Sequence, residues 1–189
     1  VKQGLAHTVA PLAKVLAEVD SGEVDALEKA LLGARRIFVT GLGRTGLMAR
    51  GFAMRLMHLG RRVYHVGDVI TPAIRRGDVL VICSRTGRSP VLLHYIAIAR
   101  RVGARVAVVT GVRASSVAKR ADTVLFLPTE RPAAKAIARS AKGRGALALP
   151  LGSLYEQALL LVLDAIVSRL MDTLGLTADD LRRIHTTFE

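Results

Sequence analysis

The sequence predicts an α/β fold: a three-layer, doubly wound, five-stranded parallel sheet in the order 2-1-3-4-5, with N-terminal helices and a long C-terminal helix. Three observations carry this expectation. Five short apolar runs rich in β-branched residues stand at residues 37–40, 63–66, 79–83, 105–110 and 123–127. Helical stretches separate several of them, and strand alternating with helix implies parallel strands joined by right-handed crossovers. Most runs are continuous rather than alternating, as expected of strands covered on both faces.

The elements follow in chain order. Leu5, Val9, Leu12, Leu16 and Val19 recur at helical spacing, and Val24, Leu27, Leu31 and Leu32 begin a second helix that Gly33 ends. The first strand runs into a glycine loop, followed by a helix over Leu47 to Leu59. A helix over Ser89 to Val102 follows the third strand, and a short one over Ser115 to Arg120 precedes the fifth. From Thr129 to Gly145 the pattern is lost in a basic, alanine- and glycine-rich segment that reads as a connecting loop. A long apolar helix then begins with Ser153 as N-cap and Glu156 three residues on, the spacing of a capping box. It is apolar on nearly every turn, which predicts burial on more than one side and a subunit interface. Thr177 caps a final short helix. The 189 residues fit one domain. It divides into helices over 1–36, a sheet core over 37–128, a basic loop over 129–149 and C-terminal helices over 150–189.

Composition excludes several classes. Hydrophobic residues make up 51% of the chain, too many for a disordered protein. The longest apolar stretch, residues 147–167, is broken by Pro150, Gly152, Glu156, Gln157 and Asp164, so no span of roughly 18 apolar residues exists. The N-terminus shows no basic head followed by an apolar block, and a cytoplasmic protein is the expectation. The lone cysteine, Cys83, excludes an intrachain disulfide and reads as core or site wall rather than nucleophile. His7, His65 and His94 show no metal-ligand spacing. A net charge of +13 points to an anionic partner. Scarce aromatics, no Trp and no helix-turn-helix, zinc-finger or RNA-binding signature argue for a phosphorylated metabolite over nucleic acid.

Two loops fit such a ligand. "GLGRTG", Gly41 to Gly46, has the GxGxxG spacing between a strand and a helix, where close backbone approach and a helix N-terminus favour an anion. Alone it also suits a dinucleotide, with Asp68 near the position that would hold a ribose. The third strand ends in "SRTGRSP", a second loop of the same kind. Ser84, Thr86 and Ser89 supply hydroxyls, Gly87 allows an anion nest, and Arg85 or Arg88 adds charge. With strand order 2-1-3-4-5, these loops flank the point where connections leave to opposite sides of the sheet. Two phosphate-type loops side by side suit one small phosphorylated molecule.

The segments "IFVTGLGRTGLMARGFAMRLMHLG", "VYHVGDVITPAIRRGDVLVICSRTG" and "LPLGSLYEQALLLVLDAIVSRLM", with the tail "IHTTFE", resemble the sugar isomerase (SIS) domain family, and most closely its 6-phospho-3-hexuloisomerases. The resemblance covers about residues 37 to 189. It implies a flavodoxin-like sheet and a homo-oligomer, a tetramer or a dimer, with active sites shared between subunits. The implied reaction interconverts D-arabino-hex-3-ulose 6-phosphate and fructose 6-phosphate, without metal or nucleotide cofactor. It places the chain in formaldehyde fixation by the ribulose monophosphate route, or in its reverse. The alternatives are an isomerase of another phosphosugar and a sugar-phosphate-binding protein without turnover. The sequence departs from the family at Arg85, usually glycine, at Arg88, usually an acid, and at Thr45, usually serine.

Moving a carbonyl between C2 and C3 needs a base for a carbon-bound proton and donors for the enediolate. Glu156 and His185 match family positions linked to catalysis. Glu156 is assigned as the base, and His185, supplied by its own or a neighbouring subunit, as the group that opens the ring or shuttles protons. His58 is a further candidate, with helix packing as its other reading. Gly43, Arg44, Thr45, Ser84, Thr86, Gly87 and Ser89 are the expected phosphate-binding residues, with Thr71 at the sugar hydroxyls.

Overall fold

The computed structural model describes residues 2–129 and 152–185, with side chains from Thr8 onward. The chain opens with α1 (Lys2–Ala17) and α2 (Ser21–Leu32), followed by β1 (Ile37–Gly41), α3 (Gly43–His58) and β2 (Val63–His65). Then come β3 (Val79–Ser84), α4 (Pro90–Arg101), β4 (Arg105–Thr110), a 3₁₀ turn (Ala118–Arg120) and β5 (Thr123–Phe126). Helices α5 (Ser153–Leu174) and α6 (Ala178–Ile184) complete it. All five strands are parallel, in the order β2-β1-β3-β4-β5. The predicted basic loop, from residue 130 onward, lies outside the described residues.

The continuous apolar strands have a simple physical outcome. Successive side chains of a strand point to opposite faces, and both faces are buried. Ile37, Val39, Val79, Val81, Cys83, Val109 and Leu125 pack on one side against residues of α2, α3 and α5. Phe38, Leu80, Ile82, Val106 and Val108 pack on the other against Leu92, Ile96 and Ala99 of α4. The crossovers therefore part at β1 and β3: α3 lies on one face and α4 on the other. Gly41 sits opposite Cys83 in the ladder, so the loops that follow β1 and β3 start about one strand spacing apart, roughly 4.8 Å.

Two local predictions are corrected. Helix α3 begins at Gly43, four residues before the expected Leu47, so the glycine loop is itself the helix's first turn. Gly46 makes this possible: a Cβ there would lie 2.6 Å from the Gly41 carbonyl oxygen, so only glycine lets the helix press on the strand end. Ser153 is not the cap of α5. Gly152, in a left-handed conformation, holds that position, and no side chain caps the helix. A residue inside the first turn cannot serve as its own N-cap, and Ser153 Oγ instead accepts from Arg44. Thr177 does cap α6, in a full capping box with Asp180.

Candidate functional site

Three helix N-termini meet at the carboxyl edge of the sheet. α3 follows β1 directly, α4 follows the β3 loop, and α5 is tied to α3 by the hydrogen bond from Arg44 Nη1 to Ser153 Oγ, 3.2 Å. Each such terminus carries unpaired N–H groups and roughly half a positive charge. Neither α3 nor α4 has an acid in its first turn, whereas α5 has one, Glu156.

Glu156 is 8% exposed. Its Oε2 lies 3.1 Å from Arg44 Nε as an ion pair, yet that oxygen is buried and, among the described residues, no hydrogen bond of acceptable angle reaches it. The guanidinium is close but not aimed. A second one stands nearby: a Cβ at Gly152 would lie 3.4 Å from Glu156 Oε1 and 3.6 Å from Arg85 Nε. The guanidinium of Arg85 thus faces the same small space as the carboxylate.

The β3 loop is a tight turn. Gly87 donates its N–H to Ser84 Oγ at 3.2 Å, so this amide, expected to face an anion, is spent inside the turn. Ser84 is buried, Thr86 and Ser89 are half-buried, and Arg88 is exposed. Ser89 precedes Pro90 at the start of α4, where proline costs no hydrogen bond. Thr45 is buried in the first turn of α3. Behind the loop, Tyr155 donates its hydroxyl to the Val109 carbonyl at 2.8 Å, and burial holds that phenol well above its usual pKa. Cys83 is wholly buried, and burial pushes its thiol up to about 12; it is core, not a reactive wall of the site.

The structure gathers Gly43, Arg44, Thr45, Ser84, Thr86, Gly87, Ser89 and Glu156 at this edge, but it sets two candidates apart. Thr71 donates its hydroxyl to the His65 carbonyl, 2.6 Å, and lines an apolar hollow of about 170 Å³ with Phe38 and Tyr95. His185 stacks beside His58, ring centroids 5.0 Å apart. His58 is at the far end of α3 from Arg44, fourteen residues along, or about 21 Å at 1.5 Å per residue. Within one chain, Glu156 and His185 do not share a pocket.

Sequence reasoning missed one polar group. His65, at the end of β2, has both ring nitrogens buried without a hydrogen bond and borders a hollow of about 230 Å³ with Arg50 and Asp68. Burial, then the nearby Arg50, pushes its pKa below the ordinary value. Asp68, the candidate ribose partner of a dinucleotide, is instead paired with Arg50 at 2.8 Å. The one signal in the sequence was a histidine inside a β-branched run, which core packing also explains.

Comparison with known proteins bears on this arrangement. The SIS domain model matches residues 30–147. A Bacillus subtilis (strain 168) protein named 3-hexulose-6-phosphate isomerase is 36% identical over 173 residues, covering 92% of this chain and 90% of its own length. One of the same name from Mycobacterium gastri is 35% identical, covering 94% and 86%. The crystal structure of a hypothetical protein from Methanococcus jannaschii, which infers a 3-hexulose-6-phosphate isomerase function, superposes with a TM-score of 0.82 at 26% identity, covering 99% of each chain. Among the described residues no helix is long and apolar enough to cross a membrane. A glycine-containing loop at each of two adjoining strand ends, the 2-1-3-4-5 sheet and these matches together establish that the chain belongs to the SIS domain family.

Proposed function

We propose that this protein is a phosphosugar isomerase that interconverts D-arabino-hex-3-ulose 6-phosphate and fructose 6-phosphate through an enediolate. The single observation that carries the reading is Glu156. The other buried carboxylates among the described residues are satisfied: Asp78 accepts from Arg36 and from the Arg75 amide, and Glu28 from Arg169. Among the described carboxylates, Glu156 has a buried oxygen without a hydrogen bond, beside the loops that follow β1 and β3 and among helix ends and arginines. A structural carboxylate would be satisfied there; a base needs a free lone pair.

The chemistry takes a proton from one carbon, returns one to its neighbour, and moves the hydroxyl proton between the two oxygens. The hydroxyls of Ser84, Thr86 and Ser89, with Arg44 and the N-termini of α3 and α4, hold the phosphate. Glu156 removes the carbon-bound proton and returns it to the neighbouring carbon. The guanidinium of Arg85 lies where enediolate charge develops. His185 serves the oxygens from a neighbouring copy, because in its own chain it packs beside His58, about 21 Å along α3 from Arg44; the protein then works as a homo-oligomer in sugar-phosphate metabolism linked to formaldehyde fixation.

The test is turnover of hexulose 6-phosphate by the purified protein and its variants. Glu156→Gln and His185→Ala should each lose roughly a hundredfold or more in kcat. Mixing the two inactive variants should restore up to about one quarter of the activity, since hybrid assemblies contain sites with both groups intact. Near-wild-type turnover in both variants would remove the assignment. Tight binding of sugar phosphate with no turnover by the wild type would identify a binding protein instead.

A further inference from the structure

The Arg44–Glu156 pair is built differently from the chain's structural ion pairs. Arg169 makes aligned hydrogen bonds from Nε and Nη2 to Glu28, at 2.5 and 3.0 Å, and Arg36 does the same to Asp78, at 3.1 and 2.6 Å. Arg44 instead donates a hydrogen bond to neutral Ser153 Oγ and stands 3.1 Å from Glu156 Oε2 without alignment. Its side chain is 54% exposed, while that of Glu156 is 10% exposed. One partner is therefore free to swing and the other is not. The arginine sits in the first turn of α3, on the loop that adjoins the β3 hydroxyls. A phosphate dianion arriving there offers a guanidinium two lone-pair-bearing oxygens in fork geometry and twice the charge of a carboxylate.

We propose that the substrate's phosphate takes Arg44 away from Glu156, and that this exchange switches on the base. The proposal rests on the isomerase reading of the site and adds to it a gate. Before substrate arrives, the carboxylate is neutralised by Arg44. Once the guanidinium has turned to the phosphate, the carboxylate has lost its positive neighbour and Oε2 is open to the substrate's carbon-bound proton. An unphosphorylated sugar would leave the gate closed. Arg44 is thus a positioning residue whose two anionic partners compete for it.

Competition is reciprocal: whatever the phosphate costs the carboxylate, the carboxylate costs the phosphate. Abolishing the charge of Glu156 must then tighten phosphate binding, although Glu156 stands in the site. The experiment is calorimetric titration with inorganic phosphate, at fixed ionic strength, of wild type, Glu156→Gln, Arg44→Ala and the double variant. Thermal melting confirms that each is folded. Glu156→Gln should bind phosphate about fivefold tighter than wild type, the scale of a half-exposed ion pair. Arg44→Ala should bind more weakly, and in its background Glu156→Gln should give no further gain. Equal or weaker binding by Glu156→Gln, or an equal gain with and without Arg44, overturns the exchange and leaves the isomerase reading to its own turnover assay. Failure of the wild type both to bind phosphate and to turn over hexulose 6-phosphate defeats the reading beneath the proposal, and the proposal with it.

Discussion

Gly87→Ala tests whether the β3 loop is held in the shape described. Gly87 has φ +60°, in the left-handed region, where an alanine costs roughly 1–2 kcal/mol. A Cβ there would also meet Ser115, with the serine Cβ at 2.5 Å and its Oγ closer still, and Thr110 Oγ1 at 3.3 Å. Ser115 cannot step aside cheaply. It is 4% exposed, and its Oγ accepts from the Ala118 amide at 3.2 Å, ahead of the 3₁₀ turn. Overpacking of that kind costs about 1–3 kcal/mol, so the substitution should lose roughly 2–5 kcal/mol in all. Urea unfolding at fixed protein concentration measures it. Ser115→Gly separates the two parts, because it removes the obstructing atoms and leaves the backbone cost. The double variant should be more stable than the sum of the single losses by about 1–3 kcal/mol. A loss below about 0.5 kcal/mol for Gly87→Ala, the range of surface substitutions, or strict additivity in the cycle, would refute the packing argument.

Three further outcomes are expected. Tyr155→Phe should cost about 1–3 kcal/mol, because the buried Val109 carbonyl loses the hydroxyl that reaches it at 2.8 Å; an unchanged urea midpoint would contradict this. His65 has a folded-state pKa below its ordinary 6.5, so the folded chain binds fewer protons than the unfolded one in that window. Its contribution is intact above pH 6.5 and is lost as pH falls through the lower folded value. His65→Gln should lose less stability than wild type between pH 8 and pH 5, and parallel loss would dismiss the burial account. Ser84→Ala should raise KM for sugar phosphate more than it lowers kcat, if the hydroxyl holds phosphate equally in ground and transition states; a kcat effect with KM unchanged would move Ser84 into the chemistry.

The sequence carried more of the sheet than of the site, and the reason is range. Strand identity is written in about four to six adjacent residues, and Arg105–Thr110 was read with its bounds intact because its β-branched run is covered on both faces. The start of α3 was misread because glycine normally discourages helix, while here Gly46 is what lets the helix begin against Gly41. Ser153 followed by Glu156 fits a capping box in sequence, but its arrangement depends on Arg44, more than a hundred residues earlier. No periodicity announces such a contact. Arg36 with Asp78 is another: Asp78 is wholly buried, and only the folded chain shows what neutralises it. The two glycine loops could be singled out as candidate anion sites because each carries its hydroxyls, glycines and arginines locally. That they adjoin depended on the strand order, which the sequence could state only as an expectation.

The distribution of charge argues that Glu156 is there for chemistry. A carboxylate in the first turn of a helix is favourable in itself, so its presence at the head of α5 needs no function. Its surroundings do. Glu23, in the first turn of α2, accepts from the Phe126 amide and pairs with Arg113, and Asp180 of α6 accepts from both Thr177 groups. Those acids spend their lone pairs on the fold. Glu156 is more buried than either, sits between two arginines, and still withholds Oε2 from any hydrogen bond. Leaving a buried charged oxygen with an ion pair but no aligned hydrogen bond forgoes on the order of 1 kcal/mol. Rotation of the Arg44 head would remove that cost, yet its Nη1 is engaged by Ser153 instead. An arrangement that forgoes available stability beside the β1 and β3 loops is what the proposed proton transfer at Glu156 calls for.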